Sequence, residues 1–336
     1  MMYRAIMCLD SYIHHNESRV SRIMKHIVAD SFYQIAPRVR EAIHNSEPVV
    51  ALESSIISHG MPYPTNLEVA AMAEQTVLDN GAIPATIGVY HGKIVVGMDE
   101  EQRYAISNNP DDPAATAMKA SVKGIPYAVT MNKNAGFTIA AIVRTAAEVG
   151  IRIMATGGIG GVSRGGELSM DVSADLEEFG HTGVAVISAG CKSILDIGRT
   201  KEVLETKDVP VIGLRCDRFP SFFSPSSPFR IDYRIDEYHD VAKFLKTKWA
   251  LGYNTAVILC NPVPKEYALD YDEIEKVIEE ATQLARENGI SGENNTPFLL
   301  SKVKELTNGA SLKTNIEVVR NNARVAAEIA KAYWND

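Results

Sequence analysis

The sequence has little cysteine and no pattern that would pair the cysteines it has. The four cysteines lie far apart and form no CxxC pair: Cys8, Cys191, Cys216 and Cys260. This spacing argues against a disulfide framework and against a zinc site, and it favours a reducing compartment. No uninterrupted apolar run approaches the roughly 20 residues that a membrane-spanning helix needs, so we expect no membrane association.

Positive charge is also in short supply. The chain has 34 Lys and Arg against 42 Asp and Glu, which gives a formal net charge of -8. Such a chain is not expected to bind nucleic acid or an anionic membrane surface non-specifically. An anionic substrate would therefore need a local basic pocket. With 46% hydrophobic residues over a length of 336, the chain can bury a sizeable core.

The first thirty residues mix basic with acidic side chains. That mixture is a poor secretory signal and a weak transit peptide, because transit peptides avoid acids. We expect a cytoplasmic protein, with a mitochondrial location as the alternative if residues 1–45 act as a transit segment. We treat residues 1–45 as an extension of unknown role and residues 46–336 as one catalytic domain, since no repeat, low-complexity segment or linker divides the latter.

From about residue 48, short apolar runs alternate with longer helical patterns. We predict strands in PVVALESSII, IRIMATGG, GVAVISAG and TAVILCNPV, a strand pair in IPATIGVYHGKIVVG, and helices in TNLEVAAMAEQTVLDNG, FTIAAIVRTAAEVG and 270–288. This alternation predicts an α/β fold whose mixed, largely parallel sheet is covered on both faces. In such folds, ligands bind beyond the carboxyl ends of the strands.

Two charged residues fall at predicted strand ends. Glu53 ends VVALE and is either a helix-cap acid or a functional carboxylate. Lys192 ends VISAGC, where a helical pattern starts at Ser193. A solvated lysine at an element boundary is the plain alternative for Lys192.

Between these two residues lies the glycine-rich segment GGIGGVSRGGELSMDVSADLEEF. A dinucleotide fingerprint read from Gly158 fails, because Ser163 stands where the third glycine is required. The glycines then either let the backbone approach a ligand closely or form a flexible surface loop. If SADLEEF is helical, capping explains one of Asp171 and Asp175 but not both. A lone carboxylate completed by waters is a common way to hold Mg²⁺ or Mn²⁺.

Six segments occur in consistent order from about Pro48 to Ala332: VVALESSIISHGMPYP, PATIGVYHGKIVVG, GGIGGVSRGGELSMDVSADL, SAGCKSILDIGRTKEVLET, NTPFLLSKVKELT and SLKTNIEVVRNNARVAAEIA. Together they resemble the pseudouridine-5′-phosphate glycosidase family. The resemblance implies a homotrimer of layered α/β/α subunits. It also implies reversible cleavage of the C–C glycosidic bond of pseudouridine 5′-phosphate to uracil and ribose 5-phosphate, with Mn²⁺ as the metal.

The resemblance also implies roles for individual residues. Lys192, in AGCKSILD, matches the family's covalent lysine, and Glu53, in ALES, matches its proton donor. Asp171 matches the metal-holding aspartate, and Ser163 stands where the family usually has histidine. Substrate contacts are implied for the positions matching Lys119, Thr138, Ile139, Ser173, Ala174, Asp175 and Asn315, the last of them near the base.

The chemistry of a C-glycoside gives Lys192 a purpose. No oxygen or nitrogen leaving group is available for protonation, so the two-carboxylate route of ordinary glycosidases does not apply unaltered. An amine that forms an iminium at C1′ supplies the missing electrophile, provided that it is unprotonated. We expect burial and a following helix N-terminus to disfavour the charged amine.

Two other functions share part of this pattern. A Schiff-base aldolase acting on another sugar phosphate would also use Lys192 and a phosphate site. A non-catalytic nucleotide-binding protein would keep the phosphate site and tolerate loss of the lysine. For the phosphate we expect Lys119 and a helix start at Thr138, where free N–H groups favour an anion.

Overall fold

The computed structural model describes residues 31–290 and 295–335. The strands of its main sheet are β1 Tyr33–Ile35, β2 Val49–Glu53, β3 Ile83–Tyr90, β4 Lys93–Val96, β5 Met118–Ala120, β6 Ala135–Phe137, β7 Ile153–Ala155, β9 Ala185–Ser188, β11 Val211–Leu214, β12 Tyr233–Ile235 and β13 Val257–Cys260.

The order of these strands across the sheet is β1-β4-β3-β2-β7-β9-β13-β11-β12, and β5 is attached to β3 through β6. The pairs β3–β4 and β3–β6 are antiparallel and the other pairs of this sheet are parallel. The predicted mixed, largely parallel sheet is therefore confirmed.

Helices cover both faces of this sheet. They are α1 Pro37–His44, α2 Thr65–Asp79, α3 Glu100–Ala105, α4 Ile125–Thr130, α5 Ile139–Glu148, α6 Gly166–Ser169, α7 Ala174–Phe179, α8 Ile197–Thr206, α9 Tyr238–Ala250, α10 Tyr271–Glu287, α11 Asn295–Leu306 and α12 Ala310–Asn335. Alternate strand residues point to opposite faces, so Ala51 packs in the core beneath α5 while Val50 and Leu52 pack beneath α2 and α12. The predicted layered α/β/α fold is confirmed.

Part of the predicted extension belongs to this architecture. Strand β1 pairs with β4, and Val39 of α1 is fully buried in the core. Residues 1–30 lie outside the described residues, and the division at residue 45 stays a prediction. Among the described residues, none of the helices has the length and apolar character to cross a membrane.

One predicted strand was too long. PVVALESSII forms a strand only as far as Glu53, and a π-helical turn follows at Ile56–Gly60. The chain leaves the sheet at Ser54, which is buried and whose hydroxyl donates to the carbonyl of Ile87 and accepts from the N–H of Phe137. Because Ser54 is buried and its hydroxyl both donates and accepts a hydrogen bond, this residue fixes the turn that presents Glu53.

Candidate active site

One cavity of about 320 Å³ lies where β2, β7 and β9 end, at the shared carboxyl edge of three parallel neighbours. Strand β6 reaches the same place from the opposite direction, because it runs antiparallel to β3. The structure brings the implied site residues together on this cavity: Glu53, Lys119, Thr138, Ile139, Asp171, Ser173, Ala174, Asp175, Lys192 and Asn315.

Glu53 is held by two hydroxyl groups. Ser55 Oγ donates to its Oε1 at 2.8 Å, and Thr156 Oγ1 donates to its Oε2. Both carboxylate oxygens are thereby fixed in direction at the end of β2. Sequence reasoning missed Thr156, although this residue directly follows β7, whose carboxyl end lies beside that of β2.

Lys192 lies in a loop after β9, and backbone hydrogen bonds on both sides of the residue hold this loop in place. Its N–H donates to the carbonyl of Ile159 at 3.1 Å, and its own carbonyl accepts from the N–H of Leu195 at 2.9 Å. Leu195 then pairs with Ser163 in a small antiparallel sheet of β8 (Val162–Ser163) and β10 (Leu195–Asp196). Among the described residues, no hydrogen bond or ion pair engages the ammonium group of Lys192, which lines the cavity.

The predicted helix start at Ser193 was wrong. Helix α8 begins at Ile197, with Asp196 as its N-cap accepting from the N–H of Arg199 at 2.9 Å. Ile194 and Leu195 are buried ahead of the helix, and Leu195 pairs with Ser163 of the glycine segment, so their burial does not come from a helical face. The helix N-terminus is therefore five residues beyond Lys192, so the expected effect of its dipole on the amine loses its structural basis.

The glycine segment is close-packed around Asp175. The Asp175 carboxylate accepts from the N–H of Ala140 and from the N–H of Gly160, both at 2.9 Å, and the residue is 5% exposed. A Cβ on Gly160 would lie 2.3 Å from Ser173 Oγ. A glycine is therefore needed at this position because the backbone packs closely against Ser173 and Asp175, and a flexible surface loop is not the reason for it. Helix α7 starts with Ser173 as its N-cap, so neither Asp171 nor Asp175 is the capping residue.

Thr138 and Lys119 form another side of the cavity. Thr138 is the N-cap of α5, and Ile139 is its first residue, as the sequence predicts. The hydroxyl oxygen of Thr138 is buried and has no hydrogen-bond partner among the described residues. Lys119 lies on β5, which pairs in parallel with β6. Thr138 directly follows the last residue of β6. A cation and an unsatisfied hydroxyl next to the start of a helix suit an anionic group.

Asp171 faces the cavity beside Ser163. Ser163 Oγ donates to Asp171 Oδ2 at 2.7 Å, and the Ser163 N–H donates to the Asp171 carbonyl at 3.0 Å. In the part of the chain that the structure describes, no group of three or more His, Cys, Asp or Glu side chains could hold a metal ion. A hard divalent cation at Asp171 would thus depend on one carboxylate, with waters and substrate oxygens as further ligands, a donor set that suits Mg²⁺ and Mn²⁺.

Several cavity residues were not among the predicted site residues. His59 comes from the π-helical turn, Phe222 from the segment after β11, and Asn295 and Thr296 from the first turn of α11. None of them ends a predicted strand, and the sequence reasoning searched only strand ends and family-matched positions. The folded chain places them on the same cavity as Glu53 and Lys192.

The chain is similar to known proteins over most of its length. The family described as indigoidine synthase A like protein matches residues 38–332. A pseudouridine-5′-phosphate glycosidase of Caldanaerobacter subterraneus subsp. tengcongensis is 48% identical, with 89% of this chain and 96% of that protein covered. One of Geobacillus kaustophilus is 47% identical, with 90% and 99% covered.

Two solved structures share the fold. An indigoidine synthase A-like protein of Thermotoga maritima is 36% identical with a TM-score of 0.78, covering 85% of this chain and 92% of its own. The prealnumycin C-glycosynthase AlnA, in complex with ribulose 5-phosphate, is 32% identical with a TM-score of 0.82, covering 90% and 97%. The chain belongs to the indigoidine synthase A like family, together with the pseudouridine-5′-phosphate glycosidases that it matches.

Proposed function

We propose that this chain is a pseudouridine-5′-phosphate glycosidase, which cleaves the C–C bond between ribose C1′ and uracil C5. The observation that carries the proposal is a single cavity that contains Lys192, Glu53 and the Lys119–Thr138 side. Relatives of that name match nearly the whole chain, and a structural relative that forms C-glycosides binds ribulose 5-phosphate. An enzyme of this kind needs a sugar-phosphate site and a group that can attack C1′.

Lys192 is the proposed nucleophile. Its neutral amine adds to C1′ as the C1′–O4′ bond breaks, and O4′ takes up a proton. Nitrogen then supplies the electron pair that forms C1′=N⁺ while the C1′–C5 bond breaks, and C5 of uracil receives a proton. Water adds to the iminium, and loss of the amine returns ribose 5-phosphate and free Lys192. The fixed loop around Lys192 supports this role, because a nucleophile gains from a preset position.

Glu53 is the proposed proton donor, to the sugar oxygen or to uracil C5. Hydroxyl donors on both of its oxygens keep the carboxyl group aimed into the cavity. General acid catalysis of this kind contributes typically about 10²–10⁴-fold. Loss of Glu53 should therefore slow the reaction without abolishing the covalent step at Lys192.

Lys119, Thr138 and Ile139 are proposed to bind the 5′-phosphate. The buried hydroxyl of Thr138 and the N–H groups of the first turn of α5 are suitable donors. Asp175 already occupies the N–H of Ala140 in that turn. Its carboxylate would repel a phosphate in direct contact, so we assign Asp175 to the support of this site and assign Ser173 and Ala174 to the substrate contact.

Mn²⁺ is the proposed metal, held by Asp171 with waters and substrate oxygens. When bound, it would supply positive charge that stabilises developing negative charge on oxygen. The homotrimer and the cytoplasmic or mitochondrial location stay predictions. So does the placement of Asn315 near the base.

The direct test is incubation of the purified protein with pseudouridine 5′-phosphate, with and without Mn²⁺, while uracil is followed by chromatography. Release of uracil that stops in excess chelator and returns with Mn²⁺ supports both the activity and the metal. Cleavage of other sugar phosphates without uracil release would favour a Schiff-base aldolase. Binding of the nucleotide without any turnover would favour a non-catalytic nucleotide-binding protein.

A further inference from the structure

A buried asparagine of the last helix lies at the end of β7, behind the cavity wall. Asn322 belongs to α12, is 1% exposed, and is not one of the residues that line the cavity. The face of α12 that carries it otherwise buries apolar side chains such as Val319, Ala323 and Ala326. A polar amide in such a place is costly unless its atoms are paired. The proposed mechanism gives this residue no task.

The amide of Asn322 is paired on both its nitrogen and its oxygen. Its Nδ2 donates to the carbonyl of Thr156 at 2.7 Å and to the carbonyl of Gly157 at 3.2 Å. Its Oδ1 accepts from Nδ2 of Asn261, the residue directly after β13, at 2.9 Å. Because a backbone carbonyl can only accept, these two carbonyls fix which way the amide of Asn322 faces.

Thr156 is the link between this amide and the cavity. The N–H of Thr156 donates to the carbonyl of Ile187 at 3.0 Å, and its carbonyl accepts from Asn322. Its hydroxyl donates to Oε2 of Glu53. The peptide groups on both sides of Thr156 are therefore held, and the hydroxyl has a set direction toward the proposed proton donor.

The neighbouring contact at Gly157 depends less on Asn322. The carbonyl of Gly157 also accepts from the N–H of Ala189 at 2.9 Å, so it keeps a partner when the asparagine is removed. Lys192, three residues beyond Ala189, is held by backbone hydrogen bonds of its own. Loss of Asn322 should thus disturb Thr156 and leave the proposed nucleophile in place.

We infer that Asn322 is a positioning residue for Glu53, which it reaches through Thr156 from outside the cavity. The inference rests on the proposed function and extends it to α12. A buried, fully paired polar group specifies one geometry, which an apolar side chain of similar shape does not. Proton transfer depends on such a geometry, because a misplacement of about 1 Å can cost about 10²-fold in rate.

The first test is Asn322→Leu, which keeps the branched shape of asparagine and removes its hydrogen bonds. It should lower kcat for pseudouridine 5′-phosphate by about 10²-fold. KM should stay near its original value, because Lys119 and Thr138 are untouched. Borohydride trapping of ribose 5-phosphate on Lys192 should persist, since the open-chain aldehyde reacts with the amine without cleavage of a sugar ring.

The adjacent residue provides a matched control. Asn321 is half-buried on the same helix, and its side chain contacts Pro262 and Arg324 in place of the β7 end. Asn321→Leu should leave both kcat and KM unchanged.

A double variant separates positioning from packing. Thr156→Val removes the hydroxyl that binds Glu53 and keeps the branched shape of the side chain. If Asn322 acts through that hydroxyl, Asn322→Leu should lower kcat little further when Thr156 is already valine, because the two residues act as one unit. A packing role would instead multiply the two effects.

Asn261→Asp disturbs the same amide from its other side and tests the inference even if Asn322→Leu does not fold. The new carboxylate would turn the NH₂ of Asn322 toward itself, so the hydrogen bond to the Thr156 carbonyl would be lost. Asn261 does not line the cavity. The variant should nevertheless show the same fall in kcat at constant KM.

An unchanged kcat in folded Asn322→Leu, or in Asn261→Asp where the first variant does not fold, would overturn the inference. A raised KM, an equal loss of ribose 5-phosphate trapping, or independent effects in the double variant would overturn it in favour of a packing role. These results leave the proposed function intact, since that is judged on the unaltered protein. Failure of the unaltered protein to release uracil would refute the proposed function and this inference with it.

Discussion

Ser163 Oγ and Asp171 Oδ2 are joined by a 2.7 Å hydrogen bond, and the backbones of the same two residues are joined by a second. Ser163 is also the partner of Leu195, three residues after Lys192, in the β8–β10 pair. Ser163 therefore connects the proposed metal ligand to the loop of the proposed nucleophile.

We predict that Ser163→Ala raises the Mn²⁺ concentration needed for half-maximal activity by about tenfold, because groups that orient a metal ligand affect affinity on that scale. The measurement is uracil release as a function of Mn²⁺ concentration. Ser169→Ala is the control, since the Ser169 hydroxyl accepts from the Asp171 N–H at 3.3 Å and does not touch the carboxylate. An identical Mn²⁺ dependence for Ser163→Ala and the unaltered protein would contradict the metal assignment at Asp171.

Asp175 gives a prediction about stability. In Asp175→Asn, one of the N–H groups of Ala140 and Gly160 faces an amide NH₂ and loses its acceptor. A buried unsatisfied group costs about 1–3 kcal/mol, so urea unfolding should show a loss of that size together with a raised KM. Asp196→Asn is the control, because asparagine caps a helix as well as aspartate does, and the exposed ion pair with Arg199 that it loses contributes little to stability. If Asp175→Asn is as stable as this control, the two hydrogen bonds do not support the site.

The phosphate assignment predicts a selective loss. Lys119→Ala should lower kcat/KM for pseudouridine 5′-phosphate at least about tenfold, because hydrogen bonds to charged groups contribute about 1.5–3 kcal/mol. The unphosphorylated nucleoside should be a poor substrate and respond little to the change, since it lacks the group that Lys119 binds. Lys123→Ala, an exposed lysine nearby that does not line the cavity, is the control. Equal losses on both substrates would contradict a phosphate contact.

Lys248 predicts a pH dependence of stability. It is 9% exposed, and burial lowers its pKa to about 8 from an ordinary 10.5. Between these values the unfolded chain binds more protons than the folded chain, so this group makes stability rise with pH from about 8 to 10.5. Below pH 8 both states are charged and the cost of burying the charge is constant.

The measurement is urea unfolding of Lys248→Met and of the unaltered protein at pH 7.5 and pH 10. The variant loses hydrogen bonds to Tyr253 and Thr255 at both pH values. The stability gap should nevertheless widen at pH 10, because the unaltered protein gains there and the variant does not. Lys243→Met, an exposed lysine on the same helix, should show a constant gap. A constant gap for Lys248→Met would contradict the lowered pKa.

Most of the sheet could be predicted because local hydrophobic pattern decides it. Strands such as Ala185–Ser188 are fully buried and read as continuous apolar runs, and the helix from Thr65 to Asp79 ends just before Gly81, whose φ is +79°. The error at Ser193 had a different origin. Ile194 and Leu195 continue a helical pattern of apolar residues, but both lie before the helix, and Leu195 instead pairs with Ser163, far earlier in the chain. Local periodicity cannot report such a contact.

The same limit applies to the site. Glu53 and Lys192 could be found because they end apolar strands, and ends of parallel strands meet at one edge of a sheet. Thr156 could not, because its importance comes from its hydrogen bond to Glu53 across the fold. Roles for Lys119 and Asn315 came from family resemblance, and the structure adds that both line the cavity.

The last prediction concerns the covalent step at Lys192. If its amine forms an iminium with C1′, borohydride added during turnover with substrate or with ribose 5-phosphate should reduce that bond. The stable product should add the mass of the ribose phosphate to the peptide that contains Lys192. Lys192→Ala should still bind the substrate, because the proposed phosphate and base contacts lie elsewhere, and should form no adduct. Lys192→Arg should be inactive, since a guanidinium stays protonated and cannot attack carbon.

The competing role for Lys192 is electrostatic pairing with the phosphate or a carboxylate, and the arginine variant separates the two. Under that role, Lys192→Arg would keep much of the activity and the unaltered protein would show no adduct. Intact-mass measurement after trapping decides between them, and peptide mapping locates the modified residue. An adduct on Lys119 would show that a lysine on the opposite side of the cavity is the nucleophile, because only an amine that reaches C1′ can be trapped there.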